Sequence, residues 1–551
     1  MLQYRALANT IPKQDENIPM RFVQFALLSA SLFLISPIKG TRAETATGFV
    51  FNDLNLNGAR DSGEAGIKGV RVSNGQDVVL TDAKGRYEIE ANAPTIIFVC
   101  KPKGWIYPVN DLHMPQFFYI HKPAGSPDED FKFKGSKPTG PLPESVDFPM
   151  RPYEVSGKLQ AVLLGDPQPG SIEQVQYFGR DIMSELVGVD AEYGVTLGDI
   201  VGNQLDLFQP MNEMQALAGI PWHNVIGNHD INFQAKDDAH ANETFHRVYG
   251  PSDYAFQYGN VHFIAMDNVV YRGKKERGYS AGLNDRQLAF IENYLKTVPT
   301  DHRILIGTHI PLTEDDPVAT KATPGLKKVM EILSRFPHTA SFSAHTHVNA
   351  IYHMGAKFGY HPDHGHGVHI HHNVGTASGT WWKGPFDSRG IPMTTMRDGT
   401  PNGYAVATFD GTEMTVRFKA ANHEADYQMN IFVADSISSN ELDSKKGEVL
   451  VNLFNGAKAS SKVQMRVSGT NEWQELKHQT RLDPHYVKQQ KIDEQTPMAG
   501  TGRLNPPRPS THIWVGKLPS ELPPGTHLIE VQATDAYGHQ FNDRRPFRVT
   551  K

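Results

Sequence analysis

Five short stretches of this 551-residue chain carry side chains whose types and spacing suit metal-assisted chemistry. They are Asp166-Pro167-Gln168, Gly198-Asp199 with Asn203 just beyond, Gly227-Asn228-His229-Asp230, Thr308-His309-Ile310-Pro311 and Ala344-His345-Thr346-His347. Together they offer carboxylate, amide oxygen and imidazole, the hard and borderline ligands that divalent ions take. Holding two such ions close together requires a bridging carboxylate and a mixed oxygen–nitrogen set, and this series supplies both. Singly, each stretch reads as a turn. All five in this order are hard to produce by chance. The chain's 25 histidines point the same way, because imidazole is the commonest metal ligand and a ready proton carrier.

Each stretch ends an apolar run: 159–165, 193–197, 223–226, 303–307 and 340–344. Short apolar runs bounded by turn residues read as buried strands. Helical spacing recurs between them, at Ile172, Val175, Phe178 and Ile182, at Leu288, Ile291 and Leu295, and at Leu326, Val329, Ile332 and Leu333. Strands alternating with helices predict a layered α/β core whose strand ends gather on one side. Ligands of open α/β sheets sit at the carboxyl ends of the strands.

On these five motifs, residues 159–418 resemble the calcineurin-like metallophosphoesterases. The resemblance implies a multidomain fold: a central α/β metallophosphoesterase β-sandwich core with helices outside, flanked by two all-β sandwich-like domains. It implies one ion on Asp166, Gln168, Asp199 and His347, and a second sharing Asp199 and adding Asn228, His309 and His345. Hydroxide formed between the ions would attack phosphorus in line. His229 would protonate the leaving oxygen, Asn203 would lie behind the ligands, and Asp230 would either orient His229 or begin a helix. Gln168 departs from the pattern, since most relatives place a histidine there. As a neutral oxygen ligand it would move preference from zinc toward manganese, magnesium or iron, or leave the position to water.

The flanks read differently. Residues 46–150 show short alternating strands with Gly and Asp turns, a small β-sandwich resembling the B-type repeats of bacterial surface proteins. Within it, Asp53, Asn55, Asn57, Asp61 and Glu64 match a calcium-loop spacing or an Asx-rich turn. The Pro- and Gly-rich segment 135–151 reads as a linker into a catalytic domain at 155–420. Residues 421–551 show an immunoglobulin-like strand pattern without evident chemistry. Beyond the fifth motif, the histidine-rich stretch 361–372 reads as a solvated loop beside the site rather than a third metal centre. Trp381, Trp382 and Lys383 offer aromatic faces for a base or sugar and a cation for phosphate, with core packing as the competing reading.

Residues 1–43 read as a signal peptide: Arg21 precedes an apolar run at 25–35 and small residues close the segment. The run is too short to cross a bilayer, which needs about 20 apolar residues in a helix. A periplasmic or secreted protein is therefore expected, with no span left after the signal is removed. Lys plus Arg number 54 against 60 acids, a net charge of −6, so no basic field for nucleic acid is present. One cysteine, Cys100, excludes a disulfide scaffold and a Cys-ligated zinc site. The expected activity is hydrolysis of a phosphorylated small molecule, nucleotide, glycan or lipid head group, as mono- or diester, with two divalent ions (Mn, Fe, Zn or Mg) and calcium in the N-terminal loop. The competing class is a cell-surface binding protein with a degenerate phosphatase domain.

Overall fold

Two facing sheets at the middle of the chain position the five motifs. The computed structural model describes residues 44–551 apart from 128–129, 277, 315–321, 364–366, 471 and 496–501. The signal-like segment 1–43, with His364 and His366 of the histidine-rich stretch, lies outside the described residues.

The first sheet orders its strands Trp222–Val225, Tyr193–Leu197, Leu159–Leu164, Gly403–Asp410, Glu413–Ala420. The first three run parallel and end in three of the motifs. The second sheet orders Tyr254–Tyr258, Val261–Ala265, Arg303–Gly307, His338–Ser343, His369–Asn373, Ala350–Met354. Arg303–Gly307 and His338–Ser343 are parallel neighbours there and end in the other two motifs. Alternation sets the layers. Leu163, Val195 and Val225 share one apolar cluster with Phe263, Leu305 and Phe342 of the second sheet. Val162 and Leu164 point the other way, into a cluster with Phe178, Phe208 and Met211 from helical segments. Strands covered on both faces bury every residue, as Tyr193–Leu197 and Arg303–Gly307 do.

The expected helices form at Ile172–Phe178, Asp285–Leu295 and Leu326–Leu333. Asn284 and Gln287 close a capping box on the second, which satisfies backbone N–H groups left free at its start. The first is shorter than its periodicity suggests: Ile172 is exposed, and at Gly179 the chain passes into a π-helical turn.

On the N-terminal side, one four-stranded sheet is built on Thr45–Asn52 and another on Thr95–Cys100. Phe98 of the latter packs edge-on against Phe290 of the capped helix, with centroids 5.8 Å apart, so this core runs into the central one. The expected linker ends as structure, because Phe148–Pro152 pairs in parallel with Thr45–Asn52. Toward the C-terminus, a four- and a five-stranded sheet enclose a core of residues such as Val451, Trp514, Ile529 and Phe547. A helix at Pro484–Gln495, absent from the sequence expectation, lies beside them.

The histidine stretch requires a correction. His369, His371 and His372 are fully or almost fully buried in a strand rather than solvated. Ser341 Oγ lies 2.7 Å from both His369 Nε2 and His371 Nδ1, and His372 pairs with the Tyr537 hydroxyl. Strand alternation was visible in the sequence, but the serines that satisfy the imidazoles come from a neighbouring strand.

Candidate metal centre

Three adjacent strands deliver Asp166 and Gln168, then Asp199, then Asn228 and His229; two strands of the facing sheet deliver His309, then His345 and His347. The turns that aim these side chains are strained. Asp166, Gln168, Asp199, Asn203, His345 and His347 all have left-handed φ, between 34° and 70°. Such a conformation costs roughly 1–3 kcal/mol for a residue with a Cβ, and surrounding structure must enforce it. Gly198 and Gly227 make the close approach possible: a Cβ would lie 2.4 Å from His309 Nδ1 at the first and 2.0 Å from Asp199 N at the second.

The side chains converge on His309. Its Nε2 lies 3.0 Å from Asn228 Oδ1, 3.2 Å from Asp199 Oδ1, 3.2 Å from His345 Nδ1 and 3.8 Å from Asp166 Oδ1. Asp199 is further fixed by the His229 N–H at 2.8 Å and the Gln168 Nε2 amide at 3.0 Å, and Asp166 by the His345 N–H at 2.7 Å. Ligand atoms of Asp199, His309 and His345 all lie within 4.8 Å of one another. Backbone carbonyls set two tautomers: His309 Nδ1 faces Leu197 O at 2.8 Å, and His347 Nδ1 faces Gly379 O. A carbonyl only accepts, so each Nδ1 holds a proton and Nε2 is the nitrogen that would face a metal.

Charge and satisfaction point to a cation. Asp166 and Asp199 are two buried carboxylates side by side. Burial pushes the Asp166 carboxyl well up; burial also raises Asp199, but the His309 and His229 charges outweigh it and hold Asp199 well below the usual range. His309 is driven to about 10: burial opposes its charge, but Asp199 overrides that cost. Burial drops His345 and His347 to about 3, so both are neutral at ordinary pH. Asp166 Oδ1 and Gln168 Oε1 are buried acceptors without a hydrogen-bond partner. Orphaned acceptors of this kind cost about 1–3 kcal/mol each. A divalent ion would satisfy both, and the carboxylate–amide–imidazole set suits it.

The remaining expectations divide. Asn203 Oδ1 lies 2.7 Å from His229 Nδ1 and orients that ring, whose Nε2 is 3.9 Å from Asp199 Oδ2. Asp230 neither orients His229 nor begins a helix. Its carboxylate accepts N–H bonds from Gly227 at 2.8 Å and from Ile200 and Val201 at 3.1 Å, tying two motif loops together. Burial, with Asp199 beside it, raises that carboxyl to about 8. Trp381 stacks on His347 with centroids 3.8 Å apart, and Lys383 Nζ lies 5.6 Å from the Trp381 ring. Trp382 is no substrate surface: it is 2% exposed and donates its Nε1–H to Pro167 O at 2.8 Å, locking the first motif loop from behind. Tyr279, which sequence reasoning missed, stands edge-on to His345 at 5.9 Å on a hairpin without a motif to mark it. Far from this centre, the Asp53–Glu64 loop is knit by its own groups. Asp53 accepts the N–H groups of Asn57 and Gly58, Asp61 accepts both the Asn55 and Asn57 amides at 2.8 Å, and Glu64 accepts the N–H groups of Leu54 and Asp61. Those are the contacts of an Asx-rich turn, and the same oxygens are the ones a calcium ion would take.

Two family profiles match the chain: "N terminal of Calcineurin-like phosphoesterase" over residues 54–137 and "C terminal of Calcineurin-like phosphoesterase" over 371–541. No curated protein matches it. Among solved structures, purple acid phosphatase PPD1 from yellow lupin (Lupinus luteus) seeds aligns at 11% identity and a TM-score of 0.34, over 69% of this chain and 67% of that one. CopC from Methylosinus trichosporium OB3b aligns at 11% identity and a TM-score of 0.13, over 22% of this chain and 88% of that one.

Proposed function

Because the chain belongs to the calcineurin-like phosphoesterases, we propose that this phosphoric ester hydrolase is exported and cleaves phosphomonoesters or phosphodiesters with two divalent ions. The observation that carries this reading is the convergence of Asp166, Asp199, Asn228 and His345 on His309 Nε2, beside two unpaired buried acceptors. Asp166, Gln168, Asp199 and His347 would hold one ion; Asp199, Asn228, His309 and His345 would hold the other. When bound, such ions acidify water and neutralise phosphoryl charge.

The chain's own groups do the rest. Asp199, common to the two ligand sets, would hold both ions, with its orientation fixed by the His229 N–H and the Gln168 amide. Asn203 holds the Nδ1 proton of His229, which leaves Nε2 as the nitrogen that would hand a proton to the leaving oxygen. Trp381 covers one side of His347 with its indole ring. Substrates of this reading are phosphorylated small molecules, nucleotides, glycans or lipid head groups. Export to the periplasm or medium rests on the apolar run at 25–35. Convergence of Asp166, Asp199, Asn228 and His345 on His309 favours catalysis over a binding protein with a degenerate centre.

The test is release of nitrophenol from its phosphate mono- and diester by purified protein, before and after chelation and with manganese restored. Rate lost on chelation and recovered on add-back supports the reading; an unchanged rate in metal-free protein overturns it.

A further inference from the structure

Two arginines from distant parts of the chain meet at the rim of the metal centre. Arg397 N donates to the His347 carbonyl at 3.3 Å, which places this residue against a ligand loop. Arg508 N donates in turn to Arg397 O at 2.9 Å, and Arg397 Nε donates to Pro506 O at 2.9 Å. Arg508 Nη2 reaches Glu314 Oε2 at 3.3 Å, just past the Thr308–Pro311 motif. The pair therefore bridges the loops that carry His309 and His345. Lys383 adds a third cation from the Trp381 side.

The charges do not balance locally. Among the described residues, Glu314 is the carboxylate paired with either guanidinium, and Arg397 has none. Burial and the neighbouring Arg508 charge both press Arg397 below its ordinary value. Like charges held together beside a catalytic centre are stabilised by an anion between them, and a guanidinium's planar fork matches phosphate oxygens.

We infer that Arg397 and Arg508 form an anion subsite for a second phosphate, so that the substrate of this centre is a diphosphate rather than a lone phosphoryl ester. The inference rests on the hydrolase reading above and adds the substrate class. In the reaction a water oxygen bonds to the terminal phosphorus and the bond from that phosphorus to the bridging oxygen breaks. The bridging oxygen keeps the electron pair and leaves with the inner phosphate, held by the arginines. Water's protons pass to the leaving oxygen and to solvent. The same chemistry occurs in nucleoside diphosphates and in lipid diphosphates.

Full-length metal-loaded protein is assayed on ADP, geranyl diphosphate and p-nitrophenyl phosphate, as wild type, Arg508→Gln and Arg397→Gln. The ratio of kcat/KM for a diphosphate to that for p-nitrophenyl phosphate should fall about 10–100-fold in each variant, mainly through KM, since a charge-assisted contact is lost. Arg508, whose side chain is 36% exposed, keeps the test valid if Arg397→Gln does not fold. Whichever diphosphate shows the larger wild-type ratio identifies the source. Binding of the non-hydrolysable α,β-methylene ADP, read by calorimetry, should weaken by the same factor, and Glu314→Gln should tighten it. Ratios and binding that do not change in Arg508→Gln overturn the subsite. If wild type cleaves no ester at all, the hydrolase reading fails on its own, and the calorimetry still decides whether the arginines hold a diphosphate.

Discussion

Asn203 Oδ1 sits 2.7 Å from His229 Nδ1, and that single contact decides which nitrogen of the ring faces the metal centre. An amide oxygen accepts only, so the proton on Nδ1 is fixed and Nε2 is the reactive atom. His229→Ala should keep the metals and lose rate by roughly 10²–10⁴, as removal of a general acid does. Asn203→Ala should lose less, about 10-fold, because the ring stays but turns freely. Both losses should shrink for nitrophenolate, which leaves without a proton. Rates on alkyl and nitrophenyl phosphates check this; equal losses on both would make His229 a phosphate-positioning group.

Two neighbouring aspartates should separate cleanly. Asp199→Ala should strip both metals, which elemental analysis reads as a fall toward zero ions per chain. Asp230→Ala, by contrast, frees three buried N–H groups across two loops. It should cost about 3 kcal/mol or more of stability, at about 1–3 kcal/mol for each donor left unsatisfied, and lower Tm visibly. Asp199→Ala with two metals still bound would remove it from the bridging role.

Gln168 donates through Nε2 to Asp199 while its Oε1 has no protein partner. An imidazole at this position would offer nitrogen to the metal instead. Gln168→His should tighten the ion beside it and move preference toward zinc. Calorimetric titration with zinc and manganese reads both effects, and identical isotherms for the two proteins would mean that Gln168 is not a ligand.

Acid should destabilise the fold early. Burial holds His223, His246, His369, His371 and His372 near a pKa of about 3, against about 6.5 in an unfolded chain. A depressed imidazole favours the neutral folded state, so its contribution is complete above the unfolded value and is lost as pH falls from about 6.5 toward 3. Each proton taken up on unfolding adds about 1.4 kcal/mol per pH unit to the slope. Denaturation midpoints between pH 7 and 4.5 should therefore drop steeply, and less steeply in His371→Gln. Parallel slopes for the two proteins would count against the buried neutral imidazole.

The gathering of the five motifs was legible because each is local: a strand, a tight turn and a candidate ligand lie within a few residues of one another. Contacts that cross the chain were not. Trp381 and Trp382 are adjacent and alike in sequence, yet consecutive left-handed φ values of 59° and 54° turn one onto His347 and the other behind Pro167. Asp230 looked like a partner for the histidine beside it, but its acceptors serve backbone donors thirty residues away. Arg508 lies far from any motif, and only the folded chain brings it beside Glu314. The paired sheets followed from apolar runs, while the buried histidines of the 369–373 strand could be placed only once Ser341 was seen between them.

The left-handed turns at Asp166, Gln168, Asp199 and His345 have a consequence for laboratory evolution. Glycine adopts such angles freely, so a Gln168→Gly or His345→Gly exchange relieves strain while deleting a ligand. A library of variants sorted only for heat resistance of metal-free protein would enrich these exchanges and drift toward inert chains. Sorted with metal present, the same library should retain the original residues, because bound ions add their own stabilisation to the strained form.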